Sequence, residues 1–516
     1  MSDEEFDYVV VGAGSAGCAL AYRLVTETDA SVLLVEAGGP DTKPEIHDER
    51  LSSTMSLWGG GDWDWGYATE PQAALGGRTI PVARGKVWGG SSSINAMVHV
   101  RGNRRDYDNW AALGNTGWGY DDVLPYLRRL ENYAGGASQF RGDDGPVSVI
   151  RHATPSPVSE QLFPATEEIG MPQRGPDFDY NAAEQAESPF YYQTTKTRDH
   201  HRASTAVAYL YPIRDAANFT IRSNALVTRL LTSGTKVTGV RYRQDGRTVD
   251  VAAAREVIVC AGAYETPKLL MLSGIGPADT LRSYGINVVA DLPGVGQNLQ
   301  DHMILGICYL SLRDDAAEPT LIAETGFFTQ TRDDATATDS PDLQMKFGAL
   351  KFVSPQYDRD GAGFTFAPVI IQPRSVGTVG LRSTDPSDRA VVQPNFLADE
   401  ADVECFLKGI ELSRALAGTK ALAGFTKVEI APGPDVTSRS DLVDFIRGNA
   451  STLWHPVGTC SLGSVVGSDL TVNGVTGLRV ADASVMPRIV AGNTNAACIM
   501  IGEKAADLVQ KGTGHV

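Results

Sequence analysis

A continuous run of aromatic and β-branched residues, Tyr8-Val-Val-Val11, follows a short acidic start. The run lacks the polar alternation of a half-exposed strand, so it predicts a strand covered on both faces, as in a parallel sheet. Glycines follow at positions 12, 14 and 17, and residues 18–25 read as a helix with its small residues nearest those glycines. Residues 30–36 predict a second buried strand, ending on Glu36, 19 positions after Gly17. Farther along, residues 218–231 and 236–243 alternate in strand fashion, and residues 256–263 form another buried run ending in small residues. A helix is expected over residues 266–276, with Pro267 near its first turn and glycines past its end. Residues 304–450 carry alternating β segments, such as residues 378–382, and one helical stretch, residues 402–416. Residues 478–481 read as a short strand, and Gly492-Asn-Thr-Asn495 opens a helix over residues 496–508.

The first glycine cluster has a definite chemistry. Gly12 makes a tight turn, Gly14 lets a pyrophosphate approach the backbone, and Gly17 lets helix and strand pack closely. The pyrophosphate then meets the positive helix N-terminus, and Glu36 accepts hydrogen bonds from an adenosine ribose. Strand, glycine spacing, helix, second strand and terminal acid together predict dinucleotide binding. The acid does not separate NAD from FAD. A second cluster spans Ala83 to Met97, with Gly89, Gly90 and three serines. Its N–H groups and hydroxyls suit something planar or anionic, while Val87, Trp88, Ile94 and Met97 make it a packed loop. Asp482 ends the 478–481 strand, where ligands sit in open α/β sheets. The middle of the chain has no phosphate-loop features and is expected to shape a substrate pocket.

Composition narrows the class. A chain of 516 residues exceeds one ordinary core, which predicts two domains. Hydrophobic content of 42% and charged content of 21% are ordinary for a globular protein, so bulk disorder is not expected. The formal net charge of −17 repels nucleic acid and anionic membranes. No basic region precedes an apolar stretch at the start, and no apolar run of some 18 residues occurs, so neither a signal peptide nor a membrane span is expected. The six cysteines are scattered without a CxxC pair, which predicts buried free thiols, no metal and a cytoplasmic address.

Taken in order, Val11-Gly-Ala-Gly-Ser-Ala-Gly17, the Gly85–Asn95 cluster, Gly262–Gly276, Gly294-Val-Gly-Gln-Asn-Leu-Gln-Asp-His302, Trp454-His-Pro-Val-Gly458 and Gly492–Asn495 are similar to the glucose–methanol–choline (GMC) family of FAD-dependent alcohol oxidoreductases. The likeness runs from about residue 5 to 510 and is strongest toward the choline oxidase, choline dehydrogenase and hydroxymethylfurfural oxidase branch. The resemblance implies an α/β fold: a Rossmann-like FAD-binding domain with an interleaved, sheet-rich (α+β) substrate domain. The first would take residues 1–154, 202–303 and 453–516, and the second residues 155–201 and 304–452. FAD would be held by Gly12, Gly14, Ser15, Ala16 and Gly17 of the first turn, and by Glu36 and Ala37 after the second strand. The resemblance adds Trp65, Arg84, Val87, Gly89, Gly90, Ser91, Asn95, Ala96, Met97 and Val98 around the second cluster. Val227, Asp482, Ala483, Asn493 and Thr494 complete the set.

The resemblance also puts His455 beside the flavin, with Asn495 where glucose-oxidising members have a second histidine. Oxidising an alcohol requires removal of the hydroxyl proton and transfer of the α-hydride to flavin. A histidine suits the proton because its ordinary pKa lies near working pH, and an amide orients the oxygen without competing as a base. His455 is therefore the expected base and Asn495 the orienting group, in oxidation of a primary alcohol to an aldehyde with O2 or another acceptor. A homodimer is compatible with this reading. Trp454, Glu324 and Lys346 are the expected substrate contacts. Ile94 stands where covalently flavinylated relatives carry a histidine, so FAD is expected to be non-covalent. Glu324 matches a carboxylate used toward trimethylammonium groups, and is equally readable as a capping glutamate. Lys346 replaces a pocket histidine and Met55 a tryptophan, and both count against choline. Lys346 pairs with an anionic or carbonyl-bearing substrate or points to solvent from a strand. Choline oxidation, a non-redox lyase, a photodecarboxylase and a flavin-binding sensor are the rival readings.

Overall fold

The computed structural model describes residues 4–151, 155–182, 185–314, 321–336 and 339–512. Residue 154, where the sequence reading puts the first boundary, lies outside them. The first sheet is built on β1 (Glu5–Val11), which leads through a glycine turn into α1 (Ser15–Glu27). The parallel neighbours of β1 on one side are β2 (Val32–Val35) and then β3 (Phe219–Arg222). Residues Tyr8 to Val11 and all of β2 are buried, as expected for a strand run without polar alternation.

The expected strand over residues 218–231 is two strands. Asn224, at φ 53°, turns the chain between β3 and β4 (Leu226–Ser233). The N–H groups of Asn224 and Ala225 donate to the carbonyls of Gly38 and Glu36, which pins this turn against the end of β2. Alternation cannot reveal such a break, because both halves keep the period. β5 (Lys236–Gln244) pairs with β4 and with the first half of β6 (Arg247–Val259), both antiparallel. The second half of β6 pairs in parallel with β1 and with a short strand, Leu478–Val480.

β6 is followed by α2 (Gly262–Leu272), which starts four residues before its expected beginning. Pro267 therefore sits inside the helix, where it cannot donate to the carbonyl of Ala263. The hydroxyl of Thr459 donates to that carbonyl at 2.7 Å instead, tying α2 to the stretch that follows Trp454 and His455.

The second sheet is antiparallel. It contains β7 (Ile307–Ser311), β8 (Thr325–Thr329), β9 (Leu343–Gly348), β10 (Gly363–Ile370) and β11 (Thr426–Ala431), in the order β11-β7-β10-β9-β8, with Phe190–Tyr191 at the far edge. β8 and β9 are buried at every residue, so their alternation separates two covered faces rather than core from solvent. Leu343, Met345 and Phe347 pack into the core under α3 (Glu400–Ala417). Gln344 and Lys346 take the opposite face, beside Tyr192, Ala367 and Val369. At the end of this sheet Met303–Ile304 pairs with β10 and with Ser451–Thr452. α4 (Asn495–Gly512) packs against α1, so its N-terminus arrives beside the glycine turn. Among the described residues no helix is long and apolar enough to cross a membrane.

Gly17 is the tightest point of the α1 packing: a Cβ there would stand 2.0 Å from the carbonyl oxygen of Gly12. Gly17→Val is expected to destabilise the protein by roughly 1–3 kcal/mol through overpacking. A thermal unfolding midpoint equal to that of the unmodified protein would contradict this account.

Candidate active site

Two cavities of about 1050 and 1170 Å³, open mouths included, share Ser15, Arg84, Ser91, Pro456, Ala483 and Cys498, and so form one continuous cleft. The first begins at the glycine turn. Gly12, Gly14, Ser15, Ala16, Glu36, Ala37, Trp65, Gly90, Val227 and Asp482 line it as expected. A Cβ at Gly90 would stand 2.7 Å from Gly14 Cα, so the two glycine clusters meet backbone to backbone. At Gly14 itself a Cβ would meet nothing within 4 Å, which leaves the turn open to the cleft. No acid occupies the first turn of α1, whose free N–H groups suit an anion.

Glu36 organises this end. Its Oε2 accepts from the N–H of Ala13 and its Oε1 from that of Gly38, both at 2.8 Å. Burial raises its pKa against the opposing effect of these bonds. Each oxygen keeps a second lone pair for a ligand hydroxyl. Asp482 does related work at the neighbouring strand end, accepting from the N–H of Gly262, the hydroxyl of Thr266 and the N–H of Ser484. An open glycine turn, an acid-free helix start and a carboxylate at the end of β2 fit the adenosine diphosphate half of FAD. The rest of the cleft leaves room for its ring end.

The second cavity is lined by Asn95, Ala96, Met97, Val98, Asn493, Thr494, Asn495, Trp454, His455 and Lys346, all expected from the sequence. Two of them have strained backbone: Met97 and Trp454 lie at φ 59° and 63°. Each such non-glycine residue costs on the order of 1–2 kcal/mol, so surrounding bonds must hold it. Asp301 does so beside Trp454. Its Oδ1 accepts from the N–H of His455 at 2.7 Å, and its Oδ2 from the hydroxyl of Thr452 at 2.6 Å. The Thr452 oxygen in turn accepts from the N–H of Trp454. Burial pushes the Asp301 carboxyl up to about 6. Buried Arg202 braces the other loop, donating to the backbone oxygen and side-chain Oδ1 of Asn95 at 2.6 and 2.9 Å.

A chain of four polar groups fixes the state of His455. His302 Nε2 faces the carbonyl of Ile371 at 3.1 Å and must donate to it. Its Nδ1 is then an acceptor, 2.9 Å from His455 Nδ1, which donates. His455 Nε2 is left unprotonated, 3.2 Å from Asn493 Nδ2, and Asn493 Oδ1 lies 3.4 Å from Lys346 Nζ. These tautomers are assigned from the bonding partners. Burial, with further contributions from His302, Lys346 and Arg84, holds the His455 pKa well below its ordinary value. Burial takes His302 down to about 3. His455 is thus a neutral imidazole with a basic nitrogen toward the cavity.

The structure sorts the remaining expected residues. The amide within reach of His455 is Asn493; the Oδ1 of Asn495 accepts from Ser15 Oγ at 2.7 Å, leaving its NH2 as a donor. Gly17, Val87 and Gly89 do not line the cleft: Gly17 serves packing, Val87 sits in an apolar cluster with Ile94, and the Gly89 N–H donates to the carbonyl of Ala13. Glu324 is not brought to the cavity. Its Oε2 accepts from the N–H and hydroxyl of Ser156, ahead of a short helix, Pro157–Glu160. Lys346 does not point to solvent; it is 4% exposed and lines the second cavity. His302, Asp301 and Arg202 carry much of the geometry without having been singled out. Asp301 and His302 were visible in the Gln-Asp-His302 motif, whereas nothing near Arg202 marks it.

Comparison with known proteins agrees with this geometry. Residues 6–304 match an N-terminal family model described as GMC oxidoreductase, and residues 373–502 a C-terminal model of the same description. The mitochondrial choline dehydrogenase of Mus musculus is 38% identical over 546 residues, covering 99% of this chain and 90% of its own length. A Pseudomonas putida alcohol dehydrogenase (acceptor) is 37% identical, over 98% of this chain and 95% of its own. Pyridoxine 4-oxidase from Mesorbium loti has a solved structure at TM-score 0.90 and 33% identity, covering 97% of this chain and 98% of that one.

Glu36→Ala strands two backbone N–H groups of the turn. It is expected to cost roughly 1–3 kcal/mol per unsatisfied donor and to lower the dinucleotide retained per chain through purification. Retention and unfolding midpoint both unchanged would remove Glu36 from this role.

Proposed function

The chain belongs to the GMC oxidoreductase family of FAD-dependent alcohol oxidoreductases, and from that premise we propose that it oxidises a primary alcohol to an aldehyde with His455 as the base. The observation that carries the assignment is the tautomer chain from Ile371 through His302 to His455. It presents an unprotonated Nε2 to the cavity at neutral pH. The Asn493 contact at 3.2 Å is long, and a substrate hydroxyl at ordinary O–H···N distance displaces it readily. Once His455 has taken the proton at Nε2, its Nδ1–H remains bonded to His302, so the ring keeps its orientation. Asn495, anchored through Oδ1 to Ser15, donates its NH2 to the substrate oxygen as the proton leaves.

Bound FAD supplies the hydride acceptor. Gly14, Ser15, Glu36, Gly90 and Asp482 would hold its diphosphate and ribose end, and residues 95–98 with Thr494 its ring end. In this reading the FAD domain comprises residues 1–154, 202–303 and 453–516, supported by the strands each segment adds to the parallel sheet. FAD is bound without a covalent link: Ile94 has no nucleophilic atom, and burial pushes the Cys498 thiol at the cleft up to about 12, where it stays protonated. Reoxidation by O2 or another acceptor and a cytoplasmic address, the latter on the strength of six free cysteines, belong to the same reading.

His455→Ala is expected to slow anaerobic flavin reduction by roughly 10²–10⁴-fold, the usual contribution of a general base, with FAD content retained. His302→Phe removes the acceptor that sets the tautomer and is expected to cost on the order of 10²-fold through misorientation. His302→Gln, whose amide can donate to Ile371 and accept from His455, should recover most of that loss. If His302→Phe reduces flavin as fast as the unmodified protein, the tautomer argument is wrong. Heat or acid denaturation should release all the yellow flavin into the supernatant; flavin that stays with the precipitated chain would show a covalent bond.

A further inference from the structure

We propose that the reacting cavity takes a primary alcohol carrying a carboxylate, and that Lys346 is the group that recognises the carboxylate. This deepens the alcohol-oxidation reading and rests on it. Lys346 projects from β9 into the cavity that also holds His455 and Asn495. An ammonium has three donors, yet among the described residues this one has only the Asn493 oxygen at 3.4 Å and the Tyr192 ring, 4.7 Å away at its centroid. No carboxylate forms an ion pair with it among the described residues. Among the described residues the cavity lining contains two cations, Lys346 and Arg84, and neither Asp nor Glu. Arg84 is already engaged: its Nε donates to the carbonyl of Ala83 and its Nη2 to that of Trp454, both at 2.7 Å. The backbone thus anchors the Arg84 guanidinium through two of its donors, whereas the Lys346 ammonium has no hydrogen bond shorter than 3.4 Å among the described residues.

Burying an ammonium without a counter-charge is costly, and here burial takes the Lys346 pKa down to about 7. A substrate carboxylate would supply the missing partner and two acceptors in a charge-assisted bond. The position also sets the shape of the substrate. Lys346 Nζ and His455 Nε2 lie on the two sides of a single amide, that of Asn493, so carboxylate and carbinol must be only a few bonds apart. The lining of the same cavity includes the apolar side chains of Ile304, Ile322 and Phe352, which suits an aromatic or branched spacer. A quaternary ammonium substrate meets the opposite of what it needs: a buried cation ahead of it and, at Glu324, a carboxylate already bonded to Ser156.

The test uses the FAD-loaded protein, mixed anaerobically with 3-(hydroxymethyl)benzoate, its uncharged isostere 3-methylbenzyl alcohol, and choline, while the oxidised flavin band is followed. The carboxylate-bearing alcohol is expected to half-saturate the bleaching rate at a concentration at least about tenfold lower than its isostere, as loss of one charge-assisted bond predicts. Choline should bleach least. In Lys346→Met the preference should shrink to within about twofold, and in Lys346→Arg it should persist. Calorimetric titration with the unreactive 3-methylbenzoate separates recognition from chemistry: binding should be at least about tenfold tighter to the unmodified holoenzyme than to Lys346→Met. Equal affinity of the two proteins for 3-methylbenzoate, or an undiminished preference in Lys346→Met, overturns the proposal. If the affinity difference stands but no alcohol bleaches the flavin, the anion site holds and the alcohol-oxidation reading fails.

Discussion

The 2.9 Å hydrogen bond between the imidazoles of His302 and His455 joins the parts of the chain on which the site depends. It requires residues 300–304 and 451–457 to run antiparallel, which they do through Met303–Thr452, Ile304–Ser451 and the Gln300–Val457 bridge. That ribbon ends against β10 on one side and against the crevice of the parallel sheet on the other. Asp301, next to His302 on one segment, bonds across to the other and holds Trp454 in its left-handed conformation, so the histidine that follows is aimed rather than merely present. The cost of that backbone conformation is met by three short hydrogen bonds in a buried setting, where such bonds are strong.

Charge behaves differently inside this protein from outside it. The chain as a whole carries −17, yet among the described residues the wall of the cavity that holds His455 carries two cations and no acid. Net charge describes the long-range field, whereas a dry cleft responds to the few charges that line it. Burial keeps both histidines neutral and weakens the proton hold of Lys346, each because the charged form loses water that the protein does not replace. The cavity thus combines a neutral imidazole with a buried lysine, separated by one amide.

Much of this was legible in the residues. The first turn could be read because its determinants are local: a buried strand without polar alternation, three glycines at a fixed spacing, and an acid at the end of the next strand. Most of the residues that line the cleft are ones that this reading and the family resemblance single out. The strand break at Asn224 and the early start of α2 were not legible. The first leaves the alternation intact, and the second depends on a hydroxyl from Thr459 replacing the bond Pro267 cannot make. The sense of Lys346 was open too, because a strand residue in isolation does not say whether the far face of its sheet is water or protein.

The sequence by itself determined the dinucleotide turn and the parallel strands around it. Both follow from residues near one another in the chain and from the strong preferences of glycine and β-branched residues. Only the tertiary structure decided which nitrogen of His455 is free, which amide stands beside it, that Glu324 bonds Ser156, and that Lys346 lines the cavity that holds His455. Those outcomes rest on pairs such as His302 with His455, 153 residues apart, and Lys346 with Asn493, 147 apart. Hydrogen-bond direction and desolvation are properties of what surrounds a group in space, and neither exists until the sheets have closed over the cleft.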